Sequence, residues 1–163
     1  METVKGIMIG DWLDYFDAND GQNHPSQVIG ITYDGYCGES LKIVPHYDPG
    51  DELDANIRWF FPIHLSRDIL EANGITPLLP RYPSGGLTDF VTHPLTGASP
   101  EPLSSEAWRI CDDNYRTAFL FHNLLSGMWY INGLEGYTIL YVHQLQHALQ
   151  AISIEKDIIV KSK

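Results

Sequence analysis

The sequence predicts an α+β fold: a small N-terminal SH3-like β-barrel or curled sheet, one short helix, and then a C-terminal antiparallel sheet with one helix. Two observations lead to this prediction. Short apolar stretches separated by turn residues recur along residues 1–63 and again after residue 114, which is typical of antiparallel strands. Apolar residues at helical spacing occur after Ser66 and after Tyr141, which indicates a helix at each place.

The N-terminal part, residues 1–75, is expected to contain several short strands followed by the first helix. Its apolar stretches cover residues 5–13, 27–33, 41–45 and 57–63. Turn signals separate them, namely Asn19-Asp20-Gly21, Asp34-Gly35 and Asp48-Pro49-Gly50. Short strands at this spacing favour a small barrel or a curled sheet.

The first helix has a predicted start and a predicted end. Ser66 can cap its first turn, and Leu65 before the cap can pack against Leu70 as a hydrophobic staple. Gly74 provides the left-handed residue that ends a helix, and Ile75 can then fold back on Leu70. The apolar side of this helix is expected to lie on the sheet.

Residues 76–105 contain six prolines and predict an ordered Pro/Gly-rich loop between the N-terminal and C-terminal parts. Residues 106–163 form the C-terminal part. They predict strands at 115–122, 128–131 and 137–141, a helix from about Val142 to Ala151, and a last strand at 158–160. We expect the three parts to form one compact unit.

The composition limits the function classes. Lys and Arg number 10 and Asp and Glu number 21, for a formal net charge of −11. A chain this acidic repels phosphate backbones, so non-specific nucleic-acid binding is disfavoured. The charge keeps a small protein in solution, and it also suits a basic protein partner or the imitation of nucleic acid.

The expected compartment is the cytoplasm. The first residues lack the basic and apolar regions of a signal peptide, and no apolar run approaches the ~18 residues of a membrane span. Cys37 and Cys111 are too few for a disulfide framework or a Cys-x-x-Cys site. Both thiols are therefore expected to be reduced.

The stretch YVHQLQHAL, residues 141–149, raises the question of a zinc site. His143 and His147 have the spacing that places two imidazoles on one helical face. However, the general base of the zinc-protease motif, a Glu after the first His, is replaced by Gln144. A third ligand would have to be His122, His93, His64 or an acid, and no spacing selects one. We therefore predict no catalytic residue, no metal and no cofactor, with His143 and His147 as weak metal candidates.

A helical wheel divides the same helix into two faces. Its docking face is predicted to consist of Val142, Leu145, Leu149 and Ile152. The histidines fall opposite, so we expect them to face outward or toward a second surface. An exposed polar face is the expected state, and four residues are candidates for a contact surface: His143, Gln144, His147 and Gln150.

Three further patterns do not match known sites. A calcium loop beginning at Asp17 fails because its fifth and twelfth positions are Gly21 and Val28. PSGG, residues 83–86, is not followed by the Gly-Lys-Ser/Thr of a phosphate loop. Asp112 and Asp113 could supply half of a carboxylate site, but a capped turn is the preferred interpretation.

Several segments of the chain resemble one family. LYVHQLQHAL carries the "YVHQLQ" signature of small uncharacterised proteins of phages and mobile elements in gut Bacteroidetes-type bacteria. Other segments resemble the same family in the same order: IMIGDWL at 7–13, SQVIGITYDG at 26–35, FPIHLSRDILEANGI at 61–75 and SIEKDIIV at 153–160. The resemblance covers about half of the chain and implies no activity, cofactor or catalytic residue. In the family pattern Asn is common at the place of His147.

Three functional hypotheses follow. The first is a non-enzymatic protein-binding or accessory protein of a phage or mobile element, with a host or phage protein as its partner. The second is a metal-dependent hydrolase that uses His143 and His147. The third is a nucleic-acid-associated small-barrel module, against which the net charge argues.

Overall fold

The structure, a computed structural model, describes residues 6–34, 38–46, 48–78 and 105–161. These residues form two antiparallel five-stranded sheets and two α-helices, so the predicted α+β class is confirmed. Several sequence features lie outside the described residues: Gly35, Cys37, His93, the PSGG stretch and most of the predicted Pro/Gly-rich loop.

The first sheet has the strand order β4-β3-β2-β1-β5. Its elements are β1 (Trp12–Asp17), β2 (Gln22–Asp34), β3 (Gly38–Pro45), β4 (Leu53–Asn56), a 3₁₀ turn (Ile57–Trp59) and β5 (Phe60–Pro62). The strands β4 and β5 are edges, and no pairing between them within the described residues closes a barrel. Of the two predicted forms, the sheet therefore has the open one.

Two predicted strands have different bounds in the structure. Within the apolar stretch 5–13, residues 6–11 form a loop, because Gly10 has a φ of 99° and the Asp11 carboxylate accepts the Met8 amide at 2.7 Å. Such a local side-chain bond competes with the strand ladder. In the stretch 57–63, the Asn56 side chain accepts the Arg58 amide at 3.1 Å and starts the 3₁₀ turn before β5.

Strand β1 contributes to two cores because alternate side chains of a strand point to opposite faces. Leu13 joins a small core inside the first sheet with Val28, Leu41, Ile43 and Phe60. Its neighbour Trp12 joins the larger core, which contains residues of both helices, the second sheet and the C-terminal tail. The first sheet is thereby packed against the rest of the molecule.

The second sheet has the strand order β10-β9-β8-β7-β6. Its strands are β6 (Thr76–Leu78), β7 (Ser105–Cys111), β8 (Thr117–Asn123), β9 (Trp129–Ile131) and β10 (Thr138–Ile139). The first three residues of the predicted loop, Thr76–Leu78, form strand β6, because they pair with β7. The start of β8 is later than predicted, since Tyr115 has a φ of 62° in the turn before it.

Helix α1 (Arg67–Ala72) has the predicted ends. The Ser66 hydroxyl accepts the Ile69 amide at 3.3 Å, and Gly74 has a φ of 68°. The Ile75 amide donates to the Leu70 carbonyl at 3.0 Å, and both side chains are buried in the larger core. The predicted capped helix with a glycine stop is thus confirmed.

The C-terminal tail, residues 154–161, has no regular secondary structure, so the prediction of a strand at 158–160 is wrong. A side chain occupies the place of a neighbouring strand. The side-chain nitrogen of Asn73 donates to the Ile159 carbonyl at 2.9 Å, and the side-chain oxygen of Asn73 accepts the backbone amide of Ile159 at 2.8 Å. This pairing holds the tail against α1, while Ile158 and Val160 enter the larger core.

Helix α2 (Val142–Ala151) buries its predicted docking residues Val142, Leu145 and Leu149, and Ile152 packs against the same core. The helix contacts both β1 and β10. Two backbone hydrogen bonds connect the two sheets next to the start of this helix. The Val142 amide donates to the Ile63 carbonyl, and the Leu65 amide donates to the Leu140 carbonyl, each at 2.9 Å. Within the described residues, no helix is long and apolar enough to cross a membrane.

We expect Leu145→Ala to lower the free energy of unfolding by about 2–5 kcal/mol, because the leucine is fully buried and its removal leaves a cavity. Urea unfolding followed by circular dichroism measures this change. Gln150→Ala, on the exposed side of the same helix, is the control and should change stability by less than ~0.5 kcal/mol. Equal effects of the two substitutions would contradict the orientation of α2.

Candidate functional site at the junction of the two sheets

The candidate site lies where α2 meets the loop that precedes β1. Gln146 makes two hydrogen bonds to the backbone on the two sides of Asp11, the last residue of this loop. Its carbonyl oxygen accepts the Trp12 amide at 3.2 Å, and its amide nitrogen donates to the Gly10 carbonyl at 3.0 Å. Gln27, on β2, donates to the same carbonyl at 3.2 Å. Two side-chain amides therefore hold the loop in place.

His147 lies one residue further along α2 and binds the end of the loop. Its Nε2 is 2.9 Å and 3.1 Å from the two carboxylate oxygens of Asp11. Asp11 is only 2% exposed, and this burial raises the pKa of its carboxyl group, although the Met8 amide and His147 act in the opposite direction. The carboxylate thus stabilises both the turn of the loop and the contact with α2.

Gln144 and His143 have structural positions at the start of α2. The Gln144 side-chain oxygen accepts the amides of Leu140 and Tyr141, at 2.8 Å and 3.2 Å. His143 is 4% exposed and stacks on the Tyr141 ring, with centroids 5.7 Å apart. Burial lowers the pKa of His143 to about 4, with a smaller effect of the neighbouring His147. Its Nδ1 has no hydrogen-bond partner in the described part of the chain.

The expectation of an exposed polar face on α2 is therefore wrong for His143, whereas His147 has the other predicted position, facing a second surface, through its contact with Asp11. Gln144 also has partners within the protein. The helical wheel assigned one buried face, but α2 lies between two layers, so its polar side meets the loop and β1. Among the four contact candidates, only Gln150 is exposed. Whether the four residues contribute to binding a partner stays a prediction.

The predicted ligands that the structure describes do not come together in a zinc site, and His93 lies outside the described residues. The rings of His143 and His147 are 5.9 Å apart and nearly perpendicular, and His147 points at Asp11. The His64 ring lies against Tyr141 at an angle of 57°, whereas His122 stacks on Trp129 in the second sheet. Within the described ranges, no group of three His, Cys, Asp or Glu residues could hold a metal ion.

Asp112 ends β7 in a capped turn, as the preferred interpretation of the sequence predicted. Its carboxylate accepts the amide and the Nε of Arg116, both at 2.8 Å, and the Glu155 amide at 3.3 Å. Burial alone would raise the pKa of Asp112, but these hydrogen bonds and the guanidinium lower it. The residue therefore fixes the C-terminal tail to the β7–β8 turn, which agrees with the capped turn and leaves the Asp112 carboxylate occupied by partners within the fold.

A cavity of about 470 Å³ opens between the loop, α2 and the C-terminal tail. We call it the junction cavity. It is lined by Met8, Ile9, Gly10, Asp11, Trp12, Gln27, His46, Gln146, Gln150, Asp157, Ile158 and Ile159. Three apolar side chains at this cavity are exposed: Met8 at 44%, Ile9 at 65% and Ile159 at 47%. Its size falls within the range of about 300–1,000 Å³ that is usual for ligand pockets.

Sequence analysis missed most residues of this site. The sequence predicts a strand through Met8, Ile9 and Asp11, and it gives Asp157 no role beside the predicted strand at 158–160. One signal for the loop was present, because Gly10-Asp11 is a pair that favours turns. No local signal could show that the C-terminal tail returns to this loop, since that contact joins residues more than a hundred positions apart.

The chain matches no protein-family model, and no curated protein or solved structure was found to match it.

We expect the buried His143 ring to make the protein less stable in acid. The unfolded chain binds this proton near the ordinary pKa of 6.5 and the folded chain near 4, so stability is lost as the pH falls between these values. The loss from this one group is about 3 kcal/mol by pH 4. Urea unfolding at pH 7 and pH 4 measures it.

His143→Phe removes the titration and keeps an aromatic ring, so the loss of stability between pH 7 and pH 4 should shrink by most of that amount. The raised pKa of Asp11 has the opposite effect on stability, because the folded state becomes less stable as the pH rises and this carboxyl group ionises. This effect is the same in the wild type and in His143→Phe. His64→Phe, at an exposed ring, is the matched control. An equal loss of stability between pH 7 and pH 4 in His143→Phe and His64→Phe would contradict the prediction.

Proposed function

We propose that the chain is a non-enzymatic binding protein that holds a partner protein at the junction cavity. One observation carries the proposal: three exposed apolar side chains surround a cavity that also contains amide and carboxylate groups. Exposed apolar groups gathered around polar ones are typical of surfaces that bind other molecules. The partner would cover Met8, Ile9 and Ile159 and meet the polar groups between them.

The polar residues of α2 support this surface from behind. Gln146 and His147 hold the loop that carries Met8 and Ile9, through their bonds to Gly10 and Asp11. Gln150, one turn after Gln146, lines the cavity itself. Of the four proposed contact residues, we therefore assign direct contact to Gln150 and a supporting position to His143, Gln144 and His147.

No observation favours the two alternative functions. The histidines of the hydrolase hypothesis are used by the fold, because His147 binds Asp11 and His143 is buried against Tyr141. For the nucleic-acid hypothesis, the net charge of −11 is unfavourable. A binding role requires neither a reactive group nor a basic surface.

The biological setting is part of the same proposal. The "YVHQLQ" resemblance favours an accessory protein of a phage or mobile element, acting in the cytoplasm on a host or phage protein. We also propose that the first sheet is an open SH3-like arrangement, because β1 to β4 form a meander, a 3₁₀ turn separates β4 from β5, and β5 returns to pair with β1.

The proposal is tested by affinity capture from a lysate of the native host, with wild-type protein and two variants. Ile9→Ser removes an apolar contact at the cavity, and we expect this variant to capture at least tenfold less of the partner than the wild type does. Leu125→Ser is the matched control, because this leucine is 85% exposed in the distant β8–β9 turn. Capture of no protein by the wild type, or equal capture by Ile9→Ser and Leu125→Ser, would contradict the proposal.

A further inference from the structure

The junction cavity is acidic in its charged groups. Two carboxylates, Asp11 and Asp157, line it, and none of its lining residues is a Lys or Arg. Lys156 precedes Asp157 in the tail but does not line the cavity. The whole chain carries a net charge of −11, so the long-range field has the same sign as the local one. A cationic group is attracted to this cavity, and an anionic group is repelled.

The polar groups of the cavity differ in how far the fold already uses them. Asp11 binds His147, and the Gln146 amide is bonded at both ends to the loop. Gln150 and Asp157 are exposed, and neither side chain has a hydrogen-bond partner in the described part of the chain. An incoming hydrogen-bond donor would therefore meet the Asp157 carboxylate and the Gln150 amide oxygen.

Apolar and aromatic groups surround these two side chains. Met8, Ile9 and Ile159 are exposed at the cavity. Inside it, the rings of Trp12 and His46 lie 6.1 Å apart at an angle of 53°. Apolar side chains of a partner can cover the first three residues. The aliphatic stem of a long basic side chain can lie along them while its charged end reaches a carboxylate.

We infer that the junction cavity binds an extended segment of a partner protein in which an arginine or lysine is flanked by apolar side chains. The inference rests on the proposed function and adds the chemistry of the partner. The basic side chain would donate to Asp157 and Gln150, and its apolar neighbours would pack on Met8, Ile9 and Ile159. An arginine suits the site particularly well, because its planar group can also lie on an aromatic ring.

The test uses fluorescein-labelled peptides and fluorescence anisotropy with the full chain. The probe is Gly-Ile-Arg-Ile-Gly, and the comparison peptides replace its Arg by Gln or by Glu. In about 20 mM salt, where screening is weak, we expect the Arg peptide to bind at least fivefold more tightly than the Gln peptide. The Glu peptide should bind more weakly than both, and the preference for Arg should shrink as salt is added.

Two variants locate the charge effect. Asp157→Asn should weaken binding of the Arg peptide at least threefold and leave the Gln peptide unchanged. Glu39→Gln is the matched control, because it removes one negative charge from an exposed position on β3, far along the strand from the cavity. An equal effect of the two variants would show that only the net charge matters and would overturn the inference.

The remaining outcomes separate this inference from the proposed function. If the Arg and Gln peptides bind equally well and Ile9→Ser weakens both, the cavity is a binding site without a cationic preference, and only the inference fails. If no peptide binds, the inference also fails, and the affinity capture with Ile9→Ser decides the proposed function independently.

Discussion

The two hydrogen bonds of Gln146 are the interaction on which the site depends. One side-chain amide joins α2 to the backbone on both sides of Asp11, through Trp12 and Gly10. The loop is thereby held against the helix at the point where β1 begins. From there Trp12 enters the larger core and Leu13 enters the smaller one. The position of the first sheet relative to α2 therefore follows from how this loop is bound.

Covering several polar side chains of α2, even partly, requires that their hydrogen-bond partners are present. A buried donor or acceptor without a partner costs about 1–3 kcal/mol. Gln144, Gln146 and His147 each satisfy a specific group of the chain, so the polar side of α2 fits only one arrangement of its neighbours. His143 is different, since its buried Nδ1 has no partner in the described residues and its pKa is low.

The local parts of the fold could be predicted from the sequence, because their signals lie within a few residues. Ser66 and Gly74 mark the ends of α1, and the leucine spacing gives the docking face of α2. Which surface covers the polar side of α2 could not be predicted, because that surface is a loop more than a hundred residues away. The pairing of Asn73 with Ile159 is equally non-local, so apolar residues 158–160 were assigned to a strand. The junction cavity consists of these distant contacts, which is why, of the four contact candidates that the sequence predicts, only Gln150 lines it.

Native-state hydrogen exchange of the Trp12 amide tests the central claim most directly. Gln146→Met removes the acceptor of this amide but keeps a side chain of similar length on α2. If Gln146 holds the loop, protection of the Trp12 amide should fall at least tenfold more than that of the buried Leu149 amide in the same helix. An equal change at Trp12 and Leu149 would contradict the account, because it would mean that the loop is held in place without Gln146.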